Sequence, residues 1–130
     1  MAKVSRYQQK EKISDNRRGE IYLVSFDPTV GYEIRKTRPA LIIQNNIGNQ
    51  YSPLTIVAAV TSKVSPMPFP VEIVVEPAKG NGLKVRSAIR LDQIRTIDRQ
   101  RLIMRLGSVD PTTMRRVDDA IKISLGLAEL

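Results

Sequence analysis

The stretch TRPALIIQNNIGNQYSPLTIVAAVTS, Thr37 to Ser62, holds two apolar runs, Ala40-Leu41-Ile42-Ile43 and Leu54 to Val60, separated by Asn, Gly, Ser and Pro. Neither run shows the polar–apolar alternation of a half-buried strand, so both predict strands covered on two faces. The intervening NNIGNQYSP reads as turn chemistry. Two adjacent buried strands this short need neighbours to cover them, and the flanking sequence supplies candidates. On the N-terminal side GEIYLVSF is a β-rich run bounded by Asp27-Pro28, and ordered structure is expected to begin at Gly19. On the C-terminal side, after the proline-punctuated VSPMPFP, come VEIVV, the glycine-rich turn PAKGNG, the alternating AIRLDQI and a short strand at Leu102 to Leu106. In AIRLDQI the period of two points Ile89 and Leu91 inward and places Arg90 and Asp92 together on the outer face.

Many short, closely spaced strands predict a mainly β fold, a small closed or half-closed barrel. The last element differs. Asp110 is an N-cap with Pro111 at the first helical position, and Met114, Val117, Ile121, Leu125 and Ala128 recur at helical spacing, with Ile123 and Leu127 widening the stripe. A C-terminal α-helix is therefore expected to pack on the barrel or on a second copy of the chain. Residues 1–18 read as a basic, flexible leader and 19–130 as one domain, a size that buries a single core without metal or disulfides.

Composition narrows the chemistry. The chain has no cysteine and no histidine, which excludes a disulfide framework, thiolate zinc sites and a histidine general base. Lys plus Arg outnumber Asp plus Glu by 21 to 13, a net charge of +8 that favours a polyanionic partner. The longest purely apolar run, Ile56 to Val60, is far below the roughly 20 residues that cross a bilayer. The N-terminus lacks the apolar core of a signal peptide. A cytoplasmic protein, away from membranes, is the expectation.

Between the first strand and Pro39 lies GYEIRKTRP, which crowds Glu33, Arg35, Lys36 and Arg38 into six positions against a buried strand. The run RRGEIYLVSFDPTVGYEIRKTRPALIIQN, followed by IVAAVTSK and later by RLDQIRTID, resembles the MazF/PemK family of toxin endoribonucleases in order and spacing, from about Arg18 to the C-terminal helix. The resemblance implies an SH3-like β-barrel of the MazF/PemK/CcdB type and a homodimer. It implies metal-independent, sequence-specific cleavage of single-stranded RNA without a cofactor, and a cognate antitoxin that occupies the RNA groove. Carried over by motif, it implies catalytic roles for Arg38 and Thr61, a loop glutamate at Glu33, a strand-end Ser62, and an Arg-x-Asp pair at Arg90 and Asp92.

Such chemistry needs no histidine. The 2′-OH of RNA can attack the adjacent phosphorus, so the protein has to position the chain, move protons and stabilise the charge of the phosphorane. A guanidinium suits the last task, and Pro39 restricts Arg38 to extended backbone, which gives it a defined direction. Glu33 and Asp92 are the candidate proton acceptors, since ordinary carboxylates are ionised at neutral pH. Tyr32 and Tyr51 are candidate base-stacking platforms, with Tyr22 assigned to the core. Arg35, Lys36 and Lys63 are candidate phosphate contacts and Gln93 a candidate reader of a base edge. Two other classes of function fit the composition: a CcdB-like toxin that poisons gyrase by protein contact, and an RNA-binding barrel without turnover.

Overall fold

A computed structural model describes residues 15–129. Six strands and two helices follow one another as β1 (Glu20–Ser25), β2 (Thr37–Ile42), α1 (Asn46–Tyr51), β3 (Leu54–Thr61), β4 (Glu72–Val75), β5 (Ser87–Asp98), β6 (Leu102–Ser108) and α2 (Pro111–Ser124). All pairings are antiparallel, in the spatial order β4-β5-β3-β2-β1-β6. The two apolar runs, β2 and β3, lie at the centre of this sheet. Burial of Ala40, Leu41 and Ile42 on β2 and of Val57 to Val60 on β3 follows from neighbours on both sides and cover on both faces.

The mainly β architecture with a C-terminal helix is as the sequence predicts, but the barrel is not closed by strand pairing: β4 and β6 remain the two edges. What brings the edges together is the turn after β4. Ser108 N–H donates to Gly80 O at 2.8 Å, and a Cβ added at Gly107 or at Gly82 would collide with the backbone of the opposing segment. Glycine there permits a backbone contact that any side chain would wedge apart.

The sheet separates two apolar clusters. One contains Ile21, Leu41, Ala58, Val60, Ile89 and Leu91 and is covered by α2 through Val117 and Ala120, with Met114 and Ile121 packed at its margin. The other contains Val24, Phe26, Ala40, Val57, Ala59 and Ile97, with Tyr22 and Ile34 packed against it. Among the described residues no helix packs on this second cluster, α1 touching the face only at Thr55 through Asn49; part of the β1–β2 loop covers it, through Ile34.

Three expectations need correction. NNIGNQY is helical rather than a bare turn: Asn45 caps α1 by accepting from Gly48 N–H, and buried Asn49 bonds Gln44, Asn46 and Thr55. The C-terminal helix stops at Ser124, where Gly126 takes a left-handed φ of 75°, so Leu125 and Leu127 are exposed rather than part of the packed stripe. The ordered chain reaches N-terminal of Gly19. Asn16 is buried, Arg18 N–H donates to Asn46 Oδ1 at 2.7 Å, and the Arg18 guanidinium bonds Ile43 O and Asp118. The remainder of the leader, residues 1–14, lies outside the described residues.

Candidate active site

Register places the site. β2 and β3 pair as Ala40↔Ala59, Leu41↔Ala58 and Ile42↔Val57, and carrying the register two residues back sets Arg38 opposite Thr61. Arg38 also pairs with Val24 on β1, and Thr61 with Ala88 on β5. By the period of two, Arg38 and Thr61 point to the face of Ala40 and Ala59, the face opposite α2. The small side chains of Ala40 and Ala59 keep that face low, and the two candidate groups stand at its rim.

The β1–β2 loop folds back to form the opposite wall. Tyr32, Glu33, Ile34, Arg35, Lys36, Arg38, Thr61 and Lys63 line one cleft, in which four cations face a single carboxylate. Every loop residue that the sequence nominated for catalysis or phosphate contact is in it. Thr61 Oγ1 accepts from Lys63 N–H at 3.1 Å, which fixes the oxygen and leaves the hydroxyl proton to donate outward. The Arg38 guanidinium has no hydrogen-bond or ion-pair partner among the described residues. Arg35 Nη2, by contrast, donates to Gly31 O at 3.2 Å.

The two carboxylates differ in their engagements. Glu33 Oε1 accepts from Val30 N–H at 2.6 Å, and Glu33 N–H donates to Val30 O at 3.2 Å, so one oxygen organises the loop while the carboxylate faces the cleft. Asp92 is gripped by Arg90 on both oxygens, Nε to Oδ1 at 2.8 Å and Nη2 to Oδ2 at 2.7 Å. That bidentate hydrogen bond holds the Asp92 carboxyl below the usual aspartate range and raises the guanidinium of Arg90 further. Arg90 pairs with Ala59 and is thus a diagonal neighbour of Thr61 across the β3–β5 ladder, on the same face.

A bulge explains how Asp92 and Gln93 reach this region. Ala58 pairs with Ile94 and Ala59 with Arg90, so Leu91, Asp92 and Gln93 have no β3 partner and β5 bends around them. Gln93 Nε2 then approaches Tyr32 O at 3.5 Å, and Gln93 lines a second, adjoining cleft with Glu33 and Arg95. Two predicted residues are not brought in. Ser62 follows Thr61 and so lines another, more apolar cleft with Leu23, Met104 and Leu106, one that Arg38 also borders. Tyr51 ends α1, beyond the other end of β3, whose length is about 24 Å at ~3.4 Å per residue.

Sequence reading missed the clamps of the loop. Arg95 Nη1 donates to Phe26 O at 2.5 Å and its guanidinium lies 6.0 Å from the centroid of the Phe26 ring. Arg101 Nη1 donates to Ser25 O at 3.0 Å and Asp27 O at 2.5 Å. Asp27 Oδ1 accepts from Lys36 N–H at 3.0 Å, which holds the base of the loop closed, with Lys36 at a left-handed φ of 66°. Phe26 is 69 residues from Arg95 in sequence. Only the run of arginines RTIDRQR hinted at them.

A β-sheet with a helix on one face and a cleft of four cations on the other suits a polyanionic ligand, and comparison with known proteins specifies the family. Residues 17–125 match the family described as the PemK-like, MazF-like toxin of type II toxin-antitoxin systems, and the chain belongs to that family. It is 42% identical over 113 residues to endoribonuclease EndoA of Bacillus subtilis (strain 168), covering 87% of this chain and 97% of the relative. MazF of Deinococcus radiodurans has the same fold, with a TM-score of 0.73 at 26% identity over 85% of this chain and 96% of that one. An endoribonuclease solved with its cognate antitoxin, from a mycobacterial species, superposes with a TM-score of 0.72 at 22% identity, over 89% of this chain and 100% of that one.

Proposed function

We propose that this endoribonuclease toxin cuts single-stranded RNA at short sequences without a metal ion, by transesterification through the RNA's own 2′-OH. The observation that carries the proposal is the pairing of Arg38, a guanidinium without a partner among the described residues, with a hydroxyl, Thr61, whose oxygen is already anchored by Lys63 N–H. The Arg38 guanidinium donates two parallel hydrogen bonds to the non-bridging phosphate oxygens, and Thr61 adds a third. Both groups gain most when negative charge accumulates on the phosphorane.

The reaction balances with the residues present. Glu33 takes the proton from the 2′-OH, the 2′-oxygen bonds to phosphorus, and the P–O5′ bond breaks. The products are a 2′,3′-cyclic phosphate and a 5′-oxygen, which takes a proton from water in the open cleft. Glu33 suits the acceptor's task better than Asp92, because Arg90 engages both Asp92 oxygens and lowers its basicity. Arg90 with Asp92 instead supplies a fixed dipolar edge to the RNA groove. Arg35, Lys36 and Lys63 follow the backbone phosphates, Tyr32 stacks on a base, and Gln93 reads a base edge. Gyrase poisoning gives the Arg38–Thr61 pairing no role, and passive RNA binding would use it only to hold a phosphate.

As a toxin, the protein works in the cytoplasm on messenger RNA and is silenced by a cognate antitoxin that fills the same cleft. It acts as a homodimer. The test is incubation with a long single-stranded RNA in excess EDTA, with cut sites and end groups mapped. Cuts at a short recurrent sequence that leave 5′-OH ends are expected; cleavage only on adding a divalent cation, or 5′-phosphate ends, would overturn the mechanism.

A further inference from the structure

The β3–β4 connection spans residues 62–71. It leaves β3 two residues before Lys63 and carries two large apolar side chains into solvent, Met67 at 85% and Phe69 at 64% exposure. Pro66, Pro68 and Pro70 fix backbone φ on either side of both. The base of the loop is tied down. Glu72 N–H donates to Phe69 O at 2.9 Å, Ser65 N–H approaches Glu72 Oε1 at 3.4 Å, and Leu91 N–H donates to Val71 O at 2.8 Å. Glu72 itself is buried, and it pairs in register with Arg90. The loop that carries the exposed ring is therefore anchored at the β4 edge of the face that holds Arg90, Thr61 and Arg38, an edge about 10 Å from β3 by two strand spacings.

Aromatic side chains are scarce, with four Tyr and two Phe in the chain. Among the described residues, Phe26 is buried, Tyr22 packs on the second apolar cluster, and Tyr51 lies beyond the far end of β3. Tyr32 and Phe69 remain as the exposed rings, one on each loop that borders the catalytic cleft. We propose that Phe69, with Met67 beside it, is a stacking platform for one base of the bound RNA away from the scissile phosphate. It sets affinity and site preference and takes no part in the chemistry. This rests on the RNA-cleavage reading above.

Three features favour RNA as the occupant. A single-stranded substrate offers unstacked π-faces that an aromatic ring can take up. Lys63, one of the cleft's four cations, lies on the same β3–β4 connection as Phe69, so a chain whose phosphates follow the cleft passes along that loop. The apolar surface amounts to two side chains on a stiffened loop, far less than the roughly 800 Å² per partner of a stable protein interface. Phe has no polar atom with which to read a base edge, so it selects by stacking strength and favours a purine.

The chain has no tryptophan, so Phe69→Trp provides a single reporter. An RNA oligonucleotide containing the cut site, with 2′-deoxy at the scissile nucleotide, should quench that fluorescence saturably. Phe69→Ala should weaken binding of the same oligonucleotide about 5- to 100-fold and raise KM on cleavable RNA to match, leaving kcat within about threefold. Abasic substitution at successive nucleotides should find one position whose penalty vanishes in Phe69→Ala. Wild-type affinity in Phe69→Ala, no such position, or a changed sedimentation coefficient would overturn the proposal, the last by making Phe69 a contact between copies. A wild type that binds the oligonucleotide but never cuts RNA would sink the cleavage mechanism alone. A wild type that cuts, with Phe69→Ala indistinguishable from it, would sink the stacking platform alone.

Discussion

Replacing Thr61 by Val removes one hydroxyl and keeps the shape of a half-buried, β-branched strand residue. Two bonds are at stake. The first, accepted from Lys63 N–H at 3.1 Å, is exposed, so water can replace the lost oxygen. Its loss belongs at the low end of the ~0.5–1.5 kcal/mol for a net hydrogen bond. For 130 residues at about 2.1 cal/mol/K each, the entropy of unfolding is ~0.27 kcal/mol/K, and Tm should fall by only about 2–4 °C. The second is the proposed bond to a phosphate oxygen, one that strengthens as the phosphorane forms. Removing such a preorganised donor costs about 100- to 1000-fold in rate, or ~2.7–4 kcal/mol. Single-turnover cleavage and a thermal melt on the same preparation separate the two effects. Thr61→Ser should restore most of the rate. A Thr61→Val protein that cuts within tenfold of wild type would refute the role given to the hydroxyl, and a drop in Tm well beyond 4 °C would mean that Thr61 supports the fold more than the chemistry.

Arg38→Ala should lose on the order of 100- to 1000-fold in cleavage with an unchanged melt, since its side chain has no partner among the described residues; Arg38→Lys should recover little, because an ammonium lacks the two-pronged geometry, and near-normal turnover of the lysine variant would show that charge alone suffices. Glu33→Gln should abolish cleavage while retaining RNA binding and the bond from Val30 N–H, whereas Asp92→Asn should keep most of the activity; the reverse pattern in single-turnover rates would make Asp92 the base. The Asp92 carboxyl titrates below its unfolded value, so its pair with Arg90 contributes stability that is fully present above pH ~4 and lost as pH falls through the lower folded value; the stability difference between wild type and Asp92→Asn, from urea unfolding, should be flat from about pH 5 to 8 and shrink only in stronger acid. Gly107→Ala should destabilise the fold by driving a methyl into the backbone of Gly80 and Asn81, visible as a lowered urea midpoint.

What could be read from the sequence divides along the range of the interactions involved. The central strands were legible because their apolar runs are local and continuous, and the start of α2 because Asp110 and Pro111 are adjacent. α1 was hidden because Asn45, Asn46 and Gly48 favour turns as strongly as caps, and the buried bonds of Asn49 that settle the matter include a partner on β3. The overestimate of α2 has the same origin, since apolar spacing continues through Leu125 and Leu127 while Gly126 breaks the backbone. At the candidate site, Arg38 and Thr61 were nominated by resemblance of their motifs, and the pairing of β2 with β3 is the physical reason that they line one cleft. The bulge that extrudes Asp92 and Gln93 was not legible, because alternation in AIRLDQI reads as an ordinary strand. Arg95 and Arg101 were invisible as loop clamps, since their acceptors are main-chain carbonyls 69 to 76 residues away and carry no sequence signature.

The central claim is that the attacking group belongs to the RNA and that the protein, through Arg38 and Thr61, supplies the field that stabilises the phosphorane. An oligonucleotide with a single 2′-deoxy nucleotide on the 5′ side of the mapped cut tests it directly, incubated with the wild-type protein in EDTA beside its all-ribose twin. Both should bind with similar affinity, the all-ribose strand should be cut, and the substituted strand should remain intact at that position. Cleavage of the substituted strand at a comparable rate would mean that water, or a group on the protein, attacks the phosphorus, and the mechanism would have to be rebuilt around that nucleophile.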